Sequence, residues 1–132
     1  MHKNEAIFAN EAFYLAFSNC DYQAMEDLWA RGRAVTCIHP GWPALIDREE
    51  ILLSWKSILG NPKQPSVSFY EPIATDLNGS VVVSCYEELP TVVLVATNIF
   101  VDVGGAPKIM FHQAGICQNA PKRMGEIKEI DS

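Results

Sequence analysis

The stretch "VTCIHPGWPALIDREEILLSW", residues 35–55, decides the fold of this 132-residue chain. Residues 35–39 are predicted to form a short strand, which Pro40 and Gly41 close with a turn. Asp47 and Glu50 have the spacing of a capping box, in which a side chain at the helix start accepts backbone amide hydrogens, so a helix is predicted to follow. The stretch therefore predicts a strand, a turn and a helix in succession, with one histidine and two tryptophans among them.

Two helices are predicted on the amino-terminal side of this unit. Apolar residues recur at spacings of three and four over residues 5–17, which gives a helix one apolar face. Asp21 has the position of a cap for a second helix, whose apolar stripe ends at Trp29. The helix that follows Asp47 carries Trp55 on its apolar face, so three helices are predicted in all.

The period of the apolar pattern changes to two after the third helix. Four β-strands are predicted there, over residues 67–75, 80–89, 92–103 and 108–117. The turn signals between them are short, for example Asn78-Gly79 and Gly104-Gly105, and short turns join antiparallel neighbours. The predicted fold class is α+β, with three N-terminal helices packed on a curved, four- to five-stranded antiparallel sheet.

The strand predicted over residues 92–103 is apolar on both faces. Val95 and Ile99 lie on one face of this strand, and Leu94 and Phe100 lie on the other. Three helices can cover only one face of a sheet, so the opposite face is predicted to form a homodimer interface.

Composition excludes several classes of function. Sixteen acidic and ten basic residues give a net charge of −6, which repels nucleic acid and anionic lipid. No apolar run approaches the roughly 20 residues that span a bilayer, and the N-terminal residues do not resemble a signal peptide, so a cytoplasmic protein is predicted. Residues 1–119 are expected to form one domain, and the charged residues 120–132 are expected to form a tail.

The four cysteines predict neither a metal site nor a redox centre. They are far apart in sequence, form no Cys-x-x-Cys pair and lie among apolar neighbours, which favours buried, reduced thiols at Cys20, Cys37, Cys85 and Cys117. His39 and His112 with Cys37 lack the tight spacing of a zinc site. No metal and no cofactor are predicted.

Two stretches carry a resemblance to a known family. "VTCIHPGWPALIDREEILLSWKSIL" (residues 35–59) and "ATNIFVDVGG" (residues 96–105) resemble an uncharacterised subgroup of the SnoaL-like members of the nuclear transport factor 2-like superfamily. The likeness extends over residues 4–117. It implies a cystatin-like cone, in which a curved sheet wraps around the helices and leaves a pocket, usually in a dimer. This fold hosts isomerases, dehydratases, polyketide cyclases and transport adaptors, so the fold alone does not choose a function.

The chain departs from the catalytic pattern of the ketosteroid isomerases of this superfamily. Those enzymes combine an Asp base with a Tyr and a protonated Asp that hold the enolate oxygen. In an approximate alignment, His39 stands in the place of the base, Phe13 in that of the Tyr and Thr97 in that of the second acid. The oxyanion pair is missing, so this isomerase activity is not expected, although Tyr14 lies beside Phe13. The last strand, "MFHQAGIC" (residues 110–117), keeps only His112 and Ala114 of a histidine-rich run found in relatives.

His39 is the strongest candidate for a proton-transfer group. An unperturbed imidazole titrates near pH 6.5, and an apolar pocket would hold it neutral as a base. The alternative is a strand-end histidine whose partners are backbone groups. Cys37 is two residues away, and the roughly 6.5 Å rise over two strand residues is too long for a direct hydrogen bond between the two side chains. His112, expected on the same strand side as Met110, faces either the pocket or the dimer interface.

The other candidate ligand-binding residues are aromatic or carry a single polar group. Trp42 lies on a loop and is a candidate for contact with a flat ligand, whereas Trp55 serves either the core or the ligand. Four more residues could supply the few polar groups of an apolar cavity: Tyr14, Tyr86, Thr97 and Asn98. Asp47 is interpreted as a helix cap and not as a catalytic acid.

The predicted function is binding of a small apolar molecule with cofactor-independent acid/base chemistry of the isomerase, dehydratase or cyclase type. His39 is the predicted base, and Tyr14, Thr97 or Asn98 would polarise an oxygen of the substrate. Two alternatives remain open at this stage: a non-enzymatic ligand-binding or accessory dimer, and a protein-interaction module. The sequence does not choose a substrate.

Overall fold

Three helices pack on one face of a single five-stranded sheet. The computed structural model describes residues 1–123, so most of the predicted tail lies outside the described residues. The elements, in chain order, are α1 (Lys3–Ser18), α2 (Tyr22–Leu28), β1 (Thr36–Ile38), α3 (Arg48–Gly60), β2 (Ser68–Asp76), β3 (Ser80–Glu88), β4 (Val93–Val103) and β5 (Ala106–Ile116). The strand order in the sheet is β1-β5-β4-β3-β2. The predicted α+β class is confirmed. Within the described residues, no helix is long and apolar enough to cross a membrane.

Local sequence signals account for the starts of the first two helices. His2 caps α1 in a capping box with Glu5, which starts the helix two residues earlier than the apolar pattern predicts. Asp21 caps α2 as predicted, since its carboxylate accepts the amide hydrogen of Ala24 at 3.1 Å. In both cases a side-chain acceptor satisfies an amide that has no partner within the helix.

The capping box predicted for α3 is wrong. Asp47 is the cap residue, but its side chain makes no capping hydrogen bond. The start of α3 is instead tied to the end of α2 by the Arg48 guanidinium, which donates to the carbonyl oxygens of Glu26 at 2.9 Å and Trp29 at 3.4 Å. The long side chain of Arg48, through these carbonyl groups, thus fixes the start of the helix, where a local capping hydrogen bond was predicted.

The sheet is antiparallel over the four predicted strands of the meander, and its fifth strand, β1, is parallel to its neighbour. Strands β2 to β5 form an antiparallel meander, but β1 pairs in parallel with β5, with Cys37 opposite His112. Short turns fix the direction of consecutive strands only, and β1 is connected onward through α3, which leaves its direction free. The parallel pairing places the end of β1 beside the middle of β5.

A bulge in β5 sets the direction of its side chains. Ile99 pairs with Phe111 and Phe100 pairs with Ile109, so Met110 is an extra residue on β5. An extra residue shifts the alternation of faces by one. As a result Ile109 and His112 are both buried on the inner face, and the expectation that Met110 shares the face of His112 is wrong.

The hydrophobic core lies between the helices and the inner face of the sheet. Its largest fully buried side chains are Trp29, Trp55, Phe13 and Phe100. Trp55 packs edge-on against Phe13 with ring centroids 5.5 Å apart, so of its two predicted roles it has at least the one in the core. On this face the apolar core is interrupted by a group of buried polar side chains, and these define the candidate site.

Candidate functional site

His39 lies where β1 ends and the chain turns toward α3. Its carbonyl oxygen accepts the amide hydrogen of Trp42 at 2.9 Å, and Gly41 supplies the positive φ of 81° that this turn needs. The imidazole is only 4% exposed and is packed between the rings of Trp42 and Trp55, each with its centroid 4.9 Å away. The turn predicted at Pro40-Gly41 therefore directs His39 inward, between two tryptophans.

A serine of α3 determines which nitrogen of His39 carries its hydrogen. Ser54 Oγ lies 2.6 Å from the carbonyl oxygen of Ile51 and must donate to it, because a carbonyl has no hydrogen of its own. The same Oγ lies 2.8 Å from His39 Nε2 and therefore accepts the Nε2 hydrogen. Neutral His39 thus has its lone pair on Nδ1, which lies 4.0 Å from Cys37 Sγ.

Cys37 and His39 are closer than strand geometry predicts. Cys37 Sγ lies 3.6 Å from His39 Nε2, so the expectation that these side chains are too far apart is wrong. The regular strand ends at Ile38, and the turn brings the imidazole back over the thiol. Burial raises the pKa of the Cys37 thiol to about 12, which keeps the sulfur protonated and inert as a nucleophile.

His112 belongs to a buried hydrogen-bonded chain that begins on β4. Its Nδ1 donates to Asn98 Oδ1 at 2.6 Å, which leaves the lone pair of the neutral imidazole on Nε2. The Asn98 amide in turn donates to Asn10 Oδ1 at 2.8 Å and to Tyr14 Oη at 3.2 Å. Asn98 therefore links α1 to β5, and every member of this chain is buried.

Glu87, which was not among the predicted site residues, completes the group. The Tyr14 hydroxyl donates to Glu87 Oε2 at 2.6 Å, and His112 Nε2 lies 4.0 Å from the same oxygen. Glu87 as a whole is 2% exposed. A signal was present in the sequence, because Glu87 occupies the inner-face register of β3 with Val83 and Cys85, where an acid is unusual.

Burial shifts the three titratable groups toward their neutral forms. It lowers the pKa of His39 to about 4 and that of His112 to about 3, the latter also through repulsion from His39. It raises the pKa of Glu87 to about 7, against the lowering effect of the Tyr14 hydrogen bond. Although His112 and Glu87 are within ion-pair distance, the desolvation of two buried charges favours a neutral pair over an ionic one.

These three groups line one cavity of about 260 Å³. His39, Glu87 and His112 form the titratable part of its lining, and Gln64 adds an uncharged polar side chain. Its apolar walls are Phe17, Trp42, Ile58, Val67, Leu89 and Leu94. The volume is slightly below the range of about 300–1,000 Å³ that is common for small-molecule sites. The cavity therefore matches a small, mainly apolar molecule that presents a few polar atoms to one wall.

The remaining candidate residues lie in different places. Trp55 contacts His39 from the core, and Asn98 lies behind His112. Tyr14 lines a separate surface groove between α1 and β2. Tyr86 and Thr97 alternate with the buried residues of β3 and β4, so they lie on the outer face of the sheet and do not join the cluster.

The cysteines are only partly as expected. Cys37 and Cys85 are buried and free, but Cys20 is exposed and Cys117 is half-buried, so the prediction of four buried thiols is wrong for these two. Both follow the end of an element, where the chain returns to the surface. Over residues 1–123 no group of three or more His, Cys, Asp or Glu side chains could hold a metal ion.

Comparison with known proteins identifies the family. The model of the SnoaL-like domain matches residues 8–117. The chain belongs to the SnoaL-like domain family. A comparison of this SnoaL-like domain with curated proteins found no match.

Solved structures share the fold of this SnoaL-like domain. A proposed dehydratase of the NTF2-like family from Streptomyces avermitilis is 27% identical, with 89% of this chain and 96% of that chain covered and a TM-score of 0.77. A proposed calcium/calmodulin-dependent protein kinase type II association domain from Thiobacillus denitrificans is 24% identical, with 83% and 93% covered and a TM-score of 0.70. A protein of unknown function with a cystatin-like fold from Nostoc punctiforme is 12% identical, with 90% and 93% covered and a TM-score of 0.72. The last two show the fold alone, and the predicted nuclear transport factor 2-like and cystatin-like fold is confirmed.

Proposed function

We propose that this SnoaL-like domain binds a small, largely apolar molecule in the cavity lined by His39. We propose further that it catalyses a proton transfer within that molecule without a cofactor. One observation carries the proposal. Two neutral imidazoles and a buried carboxyl group share a single apolar-walled cavity. Titratable groups whose pKa values are shifted by burial within one cavity are typical of sites of acid/base chemistry.

His39 is the proposed base. Ser54 takes the Nε2 hydrogen, so Nδ1 holds the lone pair that can accept a proton. Burial keeps this lone pair free at neutral pH but also makes it a weak base, because it lowers the pKa of His39 to about 4. A weak base removes only a proton that is itself acidified, such as one on a carbon next to a carbonyl group. The likeness to the proposed dehydratase supports elimination of water as the reaction type.

Hydrogen exchange at carbon tests the base directly. The ketone 4-phenylbutan-2-one, incubated with the protein in deuterated buffer, should exchange the hydrogens next to its carbonyl faster than in buffer alone. With the His39→Gln variant, the acceleration of exchange over buffer alone should be smaller by about a hundredfold or more. NMR of the ketone measures the exchange rate. His2→Asn is the matched control, since His2 lies outside the cavity and asparagine also caps helices. Equal acceleration by the wild type and His39→Gln would exclude His39 as the base.

A second candidate is a homodimer formed through the outer face of the sheet. Val95 of β4 and Ile73 of β2 lie on this face, opposite Tyr86 and Ser84 of β3, and are 41% and 62% exposed. Exposed apolar side chains on the same face of a sheet favour an interface, whether or not the cavity is catalytic.

The mass in solution tests this dimer. Light scattering should give twice the mass of one chain for the wild type and the monomer mass for Val95→Lys, because a lysine would bury an unpaired charge in the interface. Leu53→Lys is the control, since Leu53 is an exposed apolar residue of α3, away from the outer face of the sheet. A monomeric wild type would remove the dimer from consideration.

A further inference from the structure

Glu87 has one carboxyl oxygen that the fold leaves unused. Oε2 accepts the hydrogen of the Tyr14 hydroxyl at 2.6 Å. Oε1 makes no hydrogen bond to any of the residues 1–123, although the side chain is almost fully buried. Oε1 is not among the fully buried polar atoms that lack a partner in the described residues, so it is open to the adjacent cavity, where a ligand can supply a partner.

We propose that Glu87 is held as a carboxylic acid and that its Oε1–H donates a hydrogen bond to the carbonyl oxygen of an uncharged ligand. This inference rests on the proposed function, because it concerns the same cavity, and it names the ligand class as neutral carbonyl compounds. It also gives Glu87 a role in binding that is separate from that of His39.

Among the residues that the structure describes, none beside Glu87 carries a positive charge that would favour a carboxylate. Tyr14 faces it from α1, Cys85 precedes it on β3, and Asn98 approaches from β4 through Tyr14. His112 of β5 is the one basic side chain among residues 1–123 within ion-pair distance of Glu87. Its Nε2 lies 4.0 Å from Glu87 Oε2. His39 lines the same cavity as Glu87. Both imidazoles are buried and neutral, so a carboxylate here would be a buried charge with the Tyr14 hydrogen bond to stabilise it and no cation beside it.

The hydrogen bonds also decide which oxygen carries the proton. Tyr14 Oη accepts hydrogens from Asn98 and Cys85, and its own hydrogen has one acceptor, Glu87 Oε2. Because Oε2 already receives that hydrogen, the carboxyl proton is on Oε1. Burial, which raises the pKa of Glu87 to about 7, supports this state near neutral pH.

The ligand class follows from this donor. A ketone or aldehyde oxygen accepts the Oε1 hydrogen and adds no charge to the cavity. A carboxylate ligand would bring a buried charge that no cation neutralises, and an ammonium ligand would require Glu87 to ionise. The cavity should therefore select the neutral carbonyl compound among molecules of the same shape.

Carbon-13 NMR of the carboxyl groups tests the protonation state without any ligand. In protein labelled at glutamate side-chain carboxyls, the signal absent from Glu87→Gln is that of Glu87, and we expect it to titrate near pH 7. Glu88→Gln, on the next residue of the same strand, controls for the assignment. A Glu87 signal that titrates near the ordinary value, about pH 4.5, overturns the inference.

Binding of matched probes tests the donor. The affinity for 4-phenylbutan-2-one, measured by calorimetry, should fall at least tenfold between about pH 6 and about pH 9, as Oε1 loses its proton. Glu87→Gln keeps an amide donor at the same place, so it should bind the ketone with little dependence on pH, whereas Glu88→Gln should behave like the wild type. Ketone affinity that is independent of pH in the wild type overturns the inference and leaves the proposed function standing.

The amine with the same carbon skeleton, 4-phenylbutan-2-amine, provides the opposite probe. We expect it to bind more weakly than the ketone across this range. Tighter binding of the amine, increasing toward high pH, would show that Glu87 acts as a carboxylate and would overturn the inference. If the wild type binds neither compound, the cavity is excluded as a binding site for such ligands, and the proposed function is excluded with it.

Discussion

At the scale of the residue, the hydroxyl group of Ser54 determines the chemistry of His39. It donates to the Ile51 carbonyl and so can only accept from His39 Nε2, which leaves the lone pair on Nδ1. A neutral histidine side chain has two tautomers, and the hydrogen-bond partner of one ring nitrogen selects between them. The base proposed for this site is therefore defined by a helix residue 15 positions away in sequence.

Ser54→Ala should destabilise the protein by about 1–3 kcal/mol, because the buried Nε2–H of His39 loses its acceptor. Urea unfolding measures the change in the free energy of unfolding. Ser57→Ala is the matched control, since Ser57 is exposed on the same helix and alanine is the better helix former. Equal effects of the two substitutions would show that the Ser54–His39 hydrogen bond does not contribute to stability.

At the scale of the element, the β4–β5 hairpin places the second histidine. The turn at Gly104 and Gly105 uses two positive φ values, 62° and 88°, which suit a tight hairpin and are expected from a Gly-Gly pair. The bulge at Met110 then shifts the alternation, so that His112 points inward beside Asn98. The turn was predictable from its glycines. The bulge was not, because no residue type in β5 marks the position at which the pairing shifts.

The outer face of the hairpin and of β3 shows how a two-residue period assigns faces. Thr97 and Tyr86 alternate with buried residues and lie outside, where Tyr86 stacks on Tyr70 with ring centroids 5.4 Å apart. The same alternation turns Glu87 inward. Thr97 of β4, which the alignment put in the place of the second acid, thus lies on the outer face of the sheet. The acid that lines the cavity is Glu87 of β3.

At the scale of the whole molecule, the buried titratable groups couple folding to pH. The pKa values of His39 and His112 fall from 6.5 in the unfolded chain to about 4 and about 3 in the folded protein. Between about pH 4.5 and 6.5 the unfolded chain therefore binds two protons that the folded protein excludes, which lowers stability as the pH falls. Glu87 acts in the opposite direction, because burial raises its pKa from 4.5 to about 7 and the folded protein keeps a proton that the unfolded chain releases.

In this pH window the unfolded chain binds one proton more than the folded protein. The two histidines account for two additional protons in the unfolded chain, and Glu87 for one fewer. The free energy of unfolding should fall by about 1.4 kcal/mol for each pH unit of acidification in this range. Glu87→Gln removes the opposing group, so its slope should be about twice as steep, measured by urea unfolding at several pH values. Glu88→Gln should keep the wild-type slope. An unchanged slope in Glu87→Gln would contradict the raised pKa of Glu87.

The sequence by itself determined the order of the elements, the three apolar helix faces, the antiparallel meander and the family, because periodicity, turn residues and capping are local properties of the chain. It also indicated His39 as the strongest candidate for a proton-transfer group. Only the tertiary structure decided that β1 pairs in parallel with β5, that His112 points inward and that Glu87 meets both histidines across one cavity. Those contacts join residues that are far apart in the chain, such as Tyr14 and Glu87 at a separation of 73 positions, and they depend on strand direction and a bulge, which local patterns do not encode.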